Sequence, residues 1–313
     1  MTLDLQVRAM IEAMAATDMP VWETLEPAVA RQVMSTMTGA GGPKPEIARV
    51  EDVSIPTAFG RIGARIYRPS SRCDGLILFY HGGGWVLGDL DTADILCRTL
   101  ALRTGCAVLS VDYRLAPEHP FPAAVDDSFA ALRWAIEHVE SLAGVRVPII
   151  VAGESAGANL AAVVAMLARD AGIDLAFQLL FYPATDAACD TLSHEAFGQG
   201  PILTRSLIGW FWGHYVPEET ARNDPRASPL RAGSFAGLAP ALIQTAEHDP
   251  LRDEGEAYGA ALAQAGVRTI VQRLPGLVHG YAGLASVISA ADQAVADAAE
   301  AVRIRCAELR AEA

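Results

Sequence analysis

The segment that most constrains the fold is a glycine-flanked serine motif directly behind an apolar run. Residues 147–152 are typical of a buried strand, and Gly153-Glu154-Ser155-Ala156-Gly157 follows at once. A strand that ends in G-x-S-x-G and leads into a helix has the layout of a nucleophile elbow, a turn tight enough to require small flanking residues. We therefore predict that Ser155 is a nucleophile exposed at this turn. The alternative is a serine that only caps the following helix.

Further apolar runs alternate with helical patterns along most of the chain. Strands alternating with helices indicate an α/β fold with a mostly parallel sheet and helices on both faces. We predict strands at 47–54, 64–69, 75–80, 106–111, 147–152, 177–181, 241–245 and 269–274, and helices at 91–104, 122–140, 157 onwards, 253–265 and 284–311.

Two regions interrupt this alternation. Residues 1–45 have apolar residues at helical spacing and end at the glycine-rich stretch 39–43, whereas 187–236 contain no clear sheet strand. We predict that 1–45 forms N-terminal cap helices, that 187–236 is a cap insertion, and that 46–186 with 237–313 forms the core. The alternative for the insertion is a pair of ordinary crossover helices.

Composition narrows the class of protein. The 313-residue chain is 51% hydrophobic and 19% charged, which suits a large core. Its net charge of −13 argues against nucleic acid and anionic membranes as partners. No secretory signal or apolar run long enough for a membrane anchor is visible. Five scattered cysteines without C-x-x-C spacing predict free thiols in the cytoplasm, with no disulfide framework and no metal site.

A glycine-rich loop follows the predicted strand 75–80. His81-Gly82-Gly83-Gly84-Trp85 lies upstream of the serine motif, where hydrolases of this layout supply oxyanion donors. Only backbone without side chains lets two amides approach a developing negative charge. We predict that Gly83 and Gly84 donate together with the amide of Ala156, and that His81 and Gly82 support the loop.

The remaining catalytic groups are sought after later strands. In the chain order Ser…Asp…His, the only histidine beyond the acid candidates is His279, which is the predicted base. Asp249 is the preferred acid because it lies in the loop after strand 241–245, before Pro250. Three rivals lie close by, of which Asp253 and Glu254 suit the start of the next helix. The third rival is Glu247, and His248 is excluded as a base because it adjoins Asp249.

Together these motifs resemble those of the hormone-sensitive-lipase-like carboxylesterases, the bacterial family IV esterases. The matching segments are 81–85, 112–118, 153–157, 249–253 and 279–281. The resemblance implies an α/β-hydrolase fold with an eight-stranded mixed sheet, a helical cap and no cofactor. Glu154 and Tyr281 stand where many members have Asp and Phe, which affects substrate preference more than catalysis. We interpret 112–118 as a structural turn that supports the glycine loop.

The sequence therefore predicts a serine carboxylesterase that acts on small-molecule esters with short or medium acyl chains, as a monomer or homodimer. A lactonase, amidase or deacetylase remains an alternative, because the same three catalytic residues serve them all, and a non-catalytic ligand receptor is a further alternative. Four aromatic residues are candidates for the substrate pocket, although helix packing explains three of them equally well. They are Trp85, Trp210, Phe211 and Trp212.

Overall fold

An eight-stranded sheet organises the chain in a computed structural model that describes residues 2–17, 20–36 and 42–312. The strand order is β1-β2-β4-β3-β5-β6-β7-β8, with β2 antiparallel to both neighbours and all other pairs parallel. The strands are β1 (Arg49–Thr57), β2 (Gly60–Arg68), β3 (Leu76–Tyr80), β4 (Ala107–Asp112), β5 (Ile149–Glu154), β6 (Phe177–Phe181), β7 (Ala241–His248) and β8 (Thr269–Val278). The predicted α/β class with a mostly parallel sheet is confirmed.

Helices cover both faces of this sheet. The helices are α1 (Leu5–Ala15), α2 (Pro27–Thr36), α3 (Asp94–Thr104), α4 (Ala123–Ala143), α5 (Ala156–Asp170), α6 (Leu192–Phe197), α7 (Arg205–Tyr215), α8 (Arg252–Gln264) and α9 (Ser289–Glu312). One apolar cluster joins the sheet to α4, α5 and α8, and a second joins it to α3 and α9. The sheet is therefore the middle layer of three.

The side chains of strand β3 pack alternately into the two apolar clusters on either face of the sheet. Leu76, Leu78 and Tyr80 belong to the first cluster, and Ile77 and Phe79 to the second. Successive side chains of a strand point to opposite faces, so a strand covered on both sides must be apolar throughout. All five residues are fully buried, which explains why this strand reads as a continuous apolar run.

The structure differs from the sequence-based expectations at several boundaries. Strand β8 continues to Val278, beyond the predicted end at 274, because its pairing with β7 resumes after an irregularity between Ala246 and His248. The last helix begins at Ser289, after a short 3₁₀ turn. Part of the predicted helical region 1–45 lies outside the described residues, as does most of the glycine-rich stretch 39–43.

The two segments predicted as cap regions lie near one another. The 3₁₀ turn Trp22–Thr24 of the N-terminal segment contacts α7 of the insertion. Helix α1 instead packs near β8, with the Asp4 amide donating to the Gly276 carbonyl at 3.1 Å. Segment 187–236 adds no strand to the sheet. Among the described helices, none has the length and apolarity needed to cross a membrane, and all five cysteines are free thiols.

The backbone is tightly packed at the turn between β5 and α5. A Cβ atom at Gly157 would stand 1.9 Å from the carbonyl oxygen of Tyr80 and 2.4 Å from that of His81. A Cβ atom at Gly153 would stand 2.3 Å from the carbonyl oxygen of Gly157. Because the obstructing atoms are backbone, neither clash can be relieved by rotating a side chain. The glycines therefore allow β3, β5 and α5 to meet.

We expect Gly157→Ala to destabilise the protein by about 3 kcal/mol or more, because the added methyl group forces β3 and α5 apart. Gly213→Ala in α7 is the matched control, since Gly213 is exposed and its Cβ would meet nothing within 4 Å. Alanine there should raise stability by about 0.5–1 kcal/mol. Thermal denaturation of the two variants tests the difference. Equal melting temperatures for Gly157→Ala and the wild type would contradict this packing account.

Candidate active site

The side chains of Ser155, His279 and Asp249, which come from three different loops, form a continuous chain of hydrogen bonds. His279 Nε2 lies 2.9 Å from Ser155 Oγ, and His279 Nδ1 lies 2.7 Å from Asp249 Oδ2. The Asp249 side chain is fully buried and that of His279 is 11% exposed. A carboxylate, an imidazole and a hydroxyl in this order can orient the imidazole and draw a proton from the hydroxyl.

The sheet topology explains why these residues meet. Ser155 follows β5, Asp249 follows β7 and His279 follows β8, and these strands are parallel to one another within the sheet. Loops at the carboxyl ends of parallel strands share one edge of the sheet, where α/β proteins place their sites. Residues that are 124 positions apart in the sequence thus come within hydrogen-bonding distance.

Ser155 occupies a strained backbone conformation. Its φ is 53°, in the left-handed region that non-glycine residues rarely adopt. It precedes the first residue of α5, yet its side chain makes no capping hydrogen bond to that helix. The hydroxyl faces His279 instead. The geometry therefore favours the nucleophile interpretation over the helix-capping alternative.

The rival acids have other partners. Glu247 accepts a hydrogen bond from the Gly276 amide at 2.8 Å and lies 3.6 Å from the ring of His248. Asp253 pairs with Arg252 at the start of α8. Glu254 is buried and accepts from the Thr185 amide at 2.6 Å. Among the described acids, only Asp249 is hydrogen-bonded to His279.

The glycine loop brings free amides to the same place. Within the described residues, the amides of Gly83 and Gly84 donate no hydrogen bond to protein, while the Gly83 carbonyl accepts from the Leu87 amide at 2.8 Å. Ala156 is the first residue of α5, so its amide has no acceptor within the helix. All three residues line the cavity that contains Ser155. Unpaired amides of this kind are suited to stabilise an oxyanion.

His81 lies beneath the glycine loop rather than in the cavity. Its Nδ1 is 2.7 Å from the Gly82 carbonyl oxygen, which makes Nδ1 the donor, and its ring stacks on Tyr113 at 4.3 Å. Burial lowers the pKa of His81 to about 4, so the ring is neutral near pH 7. A neutral ring bound to its neighbouring carbonyl is suited to support the loop.

The segment 112–118 also contacts this loop. The Tyr113 hydroxyl donates to the His81 carbonyl at 2.7 Å, and the Ala116 amide donates to the Trp85 carbonyl at 2.9 Å. Arg31 of α2 adds two bonds, to the carbonyls of Val86 (2.7 Å) and Ala116 (2.6 Å). These contacts support the interpretation of 112–118 as a structural turn. The role of Arg31 had no signal in the sequence.

Glu154 joins the glycine loop to the neighbourhood of the base. It accepts from the Gly82 amide at 3.4 Å and from the Tyr182 hydroxyl at 2.6 Å. The Tyr182 ring stands edge-on to the His279 ring at 4.8 Å. Burial and the nearby carboxylate raise the pKa of Tyr182 well above its usual value, so the phenol remains a donor. Tyr182 was not predicted, because nothing in its sequence neighbourhood marks it.

Ser155 opens onto an apolar cavity of about 510 Å³. Residues from the N-terminal segment and from the insertion line it together with the sheet loops. Of the predicted pocket aromatics, Trp85, Phe211 and Trp212 line the cavity. The expectation for Trp210 is not supported, because its ring lies outside the lining and packs on Phe211 and His214. Helical periodicity turns this ring away from the cavity that its neighbours face.

Known proteins resemble this chain over most of its length. A family model described as alpha/beta hydrolase fold matches residues 77–283. Carboxylic ester hydrolase LipN of Mycobacterium tuberculosis is 50% identical over 252 residues, which are 77% of this chain and 67% of that protein. A protein of Pseudomonas putida named ethyl acetate hydrolase is 38% identical over 81% of this chain and 83% of its own.

Solved structures match the whole architecture. A hyperthermophilic esterase from the archaeon Pyrobaculum calidifontis superposes with a TM-score of 0.91 at 39% identity, covering 97% of this chain and 98% of that one. An ester hydrolase from the metagenome of Lake Arreo gives 0.92 at 41% identity, covering 97% and 99%. The chain therefore belongs to the α/β-hydrolase fold family and is a carboxylic ester hydrolase of the hormone-sensitive-lipase-like group.

Proposed function

We propose that the protein hydrolyses small-molecule carboxylic esters through an acyl-enzyme on Ser155. The observation that carries this proposal is the row of 2.9 Å and 2.7 Å contacts from Ser155 through His279 to Asp249. His279 removes the hydroxyl proton as Ser155 Oγ attacks the ester carbonyl. Asp249 holds the ring in the tautomer with a proton on Nδ1 and stabilises the imidazolium.

The later steps follow from the same groups. The amides of Gly83, Gly84 and Ala156 donate to the oxyanion of each tetrahedral intermediate. The proton that His279 has taken passes to the departing alcohol, which leaves an ester of Ser155. Water then loses a proton to His279 and attacks this ester, and the collapse of the second intermediate releases the acid and returns the proton to Ser155.

We further propose a preference for short or medium acyl chains. An apolar cavity of about 510 Å³ is in the range of small-ligand sites. The Phe211 ring limits the width of the cavity near the glycine loop. It lies directly over Gly84, where a Cβ atom would be 2.1 Å from the ring. A relative named ethyl acetate hydrolase supports the same preference.

We also propose that the protein acts in the cytoplasm. Its five free cysteine thiols support this location, because thiols remain reduced there.

We expect Ser155→Ala to lower kcat for p-nitrophenyl butyrate by roughly 10⁴-fold or more, and Asp249→Asn by about 10²–10⁴-fold, because each removes part of one catalytic unit. An aryl phosphonate should label one site per wild-type chain and none in Ser155→Ala. Ser141→Ala, a change of an exposed serine on α4, is the control and should retain full activity. Retained hydrolysis by Ser155→Ala, or faster turnover of amides than of matched esters, would reject the proposal.

We expect Phe211→Ala to shift acyl preference toward longer chains. Removing this ring opens space beside Gly84, and each additional buried methylene contributes up to about 0.8 kcal/mol. The ratio of kcat/KM for octanoyl to butyryl p-nitrophenyl esters should rise about tenfold. Trp210→Phe is the control and should leave the ratio within about twofold, because Trp210 lies outside the lining. An unchanged ratio in Phe211→Ala would place the acyl chain elsewhere.

We expect His81 to make stability depend on pH below neutrality. Because its folded pKa is about 4 and the ordinary value is 6.5, the unfolded chain binds the proton first as the pH falls. The contribution of the neutral His81 ring to the free energy of unfolding is fully present above pH 6.5. It declines below pH 6.5 and is lost by about pH 4, a total change of roughly 3 kcal/mol. Urea unfolding between pH 7.5 and 5 should show a steeper decline for wild type than for His81→Gln. Parallel curves would contradict this assignment.

A further inference from the structure

A buried serine of the insertion contacts the loop that carries Asp249. Ser193, in α6, is fully buried. Its hydroxyl donates to the Pro250 carbonyl oxygen at 2.6 Å and accepts from the Asp253 amide at 3.1 Å. The Ser193 amide donates to Asp253 Oδ2 at 2.8 Å. Three hydrogen bonds thus connect one residue of the 187–236 segment to the acid loop, 249–253.

One of these bonds acts on the peptide group that orients the catalytic carboxylate. The Pro250 carbonyl and the Leu251 amide belong to the same planar peptide unit. Ser193 binds the carbonyl side of this unit, and the amide side donates to Asp249 Oδ1 at 2.9 Å. The other carboxylate oxygen, Oδ2, faces His279 Nδ1 at 2.7 Å. Rotation of this peptide unit would therefore move the acceptor of the base.

The same arrangement also acts electrostatically. A hydrogen bond donated to a peptide carbonyl polarises the unit and strengthens the bond that its N–H donates. The hydroxyl of Ser193, the peptide between Pro250 and Leu251, and the carboxylate of Asp249 form one such chain. It continues through His279 to Ser155. Ser193 itself is absent from the lining of the substrate cavity.

We propose that Ser193 is a positioning residue, which holds the Asp249 carboxylate in register with His279 through the Pro250–Leu251 peptide. This inference rests on the proposed role of Asp249 as the catalytic acid. It makes α6 part of the support of the catalytic residues, in addition to any role of the insertion in covering the cavity. A purely structural serine, by contrast, would influence folding or the cavity without acting through Asp249.

The test is a double-mutant cycle with p-nitrophenyl butyrate. Ser193→Ala should lower kcat about tenfold, because a loosened carboxylate holds the base less well, and should change KM less than twofold. Ser193→Cys, of similar size but a weaker donor, should fall between Ala and wild type. In an Asp249→Asn background, Ser193→Ala should cause little further loss, because the carboxylate it positions is gone.

The control is Ser234→Ala, which changes an exposed serine of the same segment and should leave kcat unchanged. Thermal melts identify any variant that does not fold, in which case Ser193→Cys carries the comparison. An equal loss with and without Asp249, or a change confined to KM, would overturn the positioning role. A fully active Asp249→Asn would instead reject the proposed triad, and the inference with it.

Discussion

The site depends on a backbone crossing that only glycine permits. At the turn between β5 and α5, Gly157 lies against the carbonyl oxygens of Tyr80 and His81 at the end of β3, and Gly153 lies against the carbonyl oxygen of Gly157. At this turn Ser155 has a positive φ of 53°, and its hydroxyl faces His279. The crossing also brings the glycine loop after β3 beside the same serine. One steric constraint thus determines the position of both the proposed nucleophile and its proposed oxyanion donors.

Burial sets the electrostatics around this crossing. Asp249 is fully buried, yet one of its oxygens accepts from a backbone amide and the other faces His279. Hydrogen bonds to both oxygens offset the cost of burying this polar group. His81 is the opposite case, because its buried ring is neutral and binds a carbonyl. The two residues have different roles because their partners differ.

The segments outside the sheet are attached to both halves of this arrangement. Arg31 of the N-terminal segment binds the backbone next to the glycine loop, and Ser193 of the insertion binds the backbone next to Asp249. Both segments also line the cavity. The elements that enclose the substrate space are therefore hydrogen-bonded to the loops that carry the proposed chemistry. Movement of the N-terminal segment would therefore displace the glycine loop, and movement of the insertion would displace the loop that carries Asp249.

The alternation of strands and helices and the chain order of Ser155, Asp249 and His279 could be predicted from the sequence, because these are local or ordinal features. Hydrophobic periodicity and the spacing of glycines around a motif depend on residues that are close together in the sequence. Three other properties became visible in the folded structure alone. Trp210 turns away from the cavity and β8 extends to Val278. In addition, Arg31, Tyr182 and Ser193 belong to the surroundings of the site. These properties depend on contacts between distant segments, and no local pattern encodes which residues will face each other once the sheet has formed.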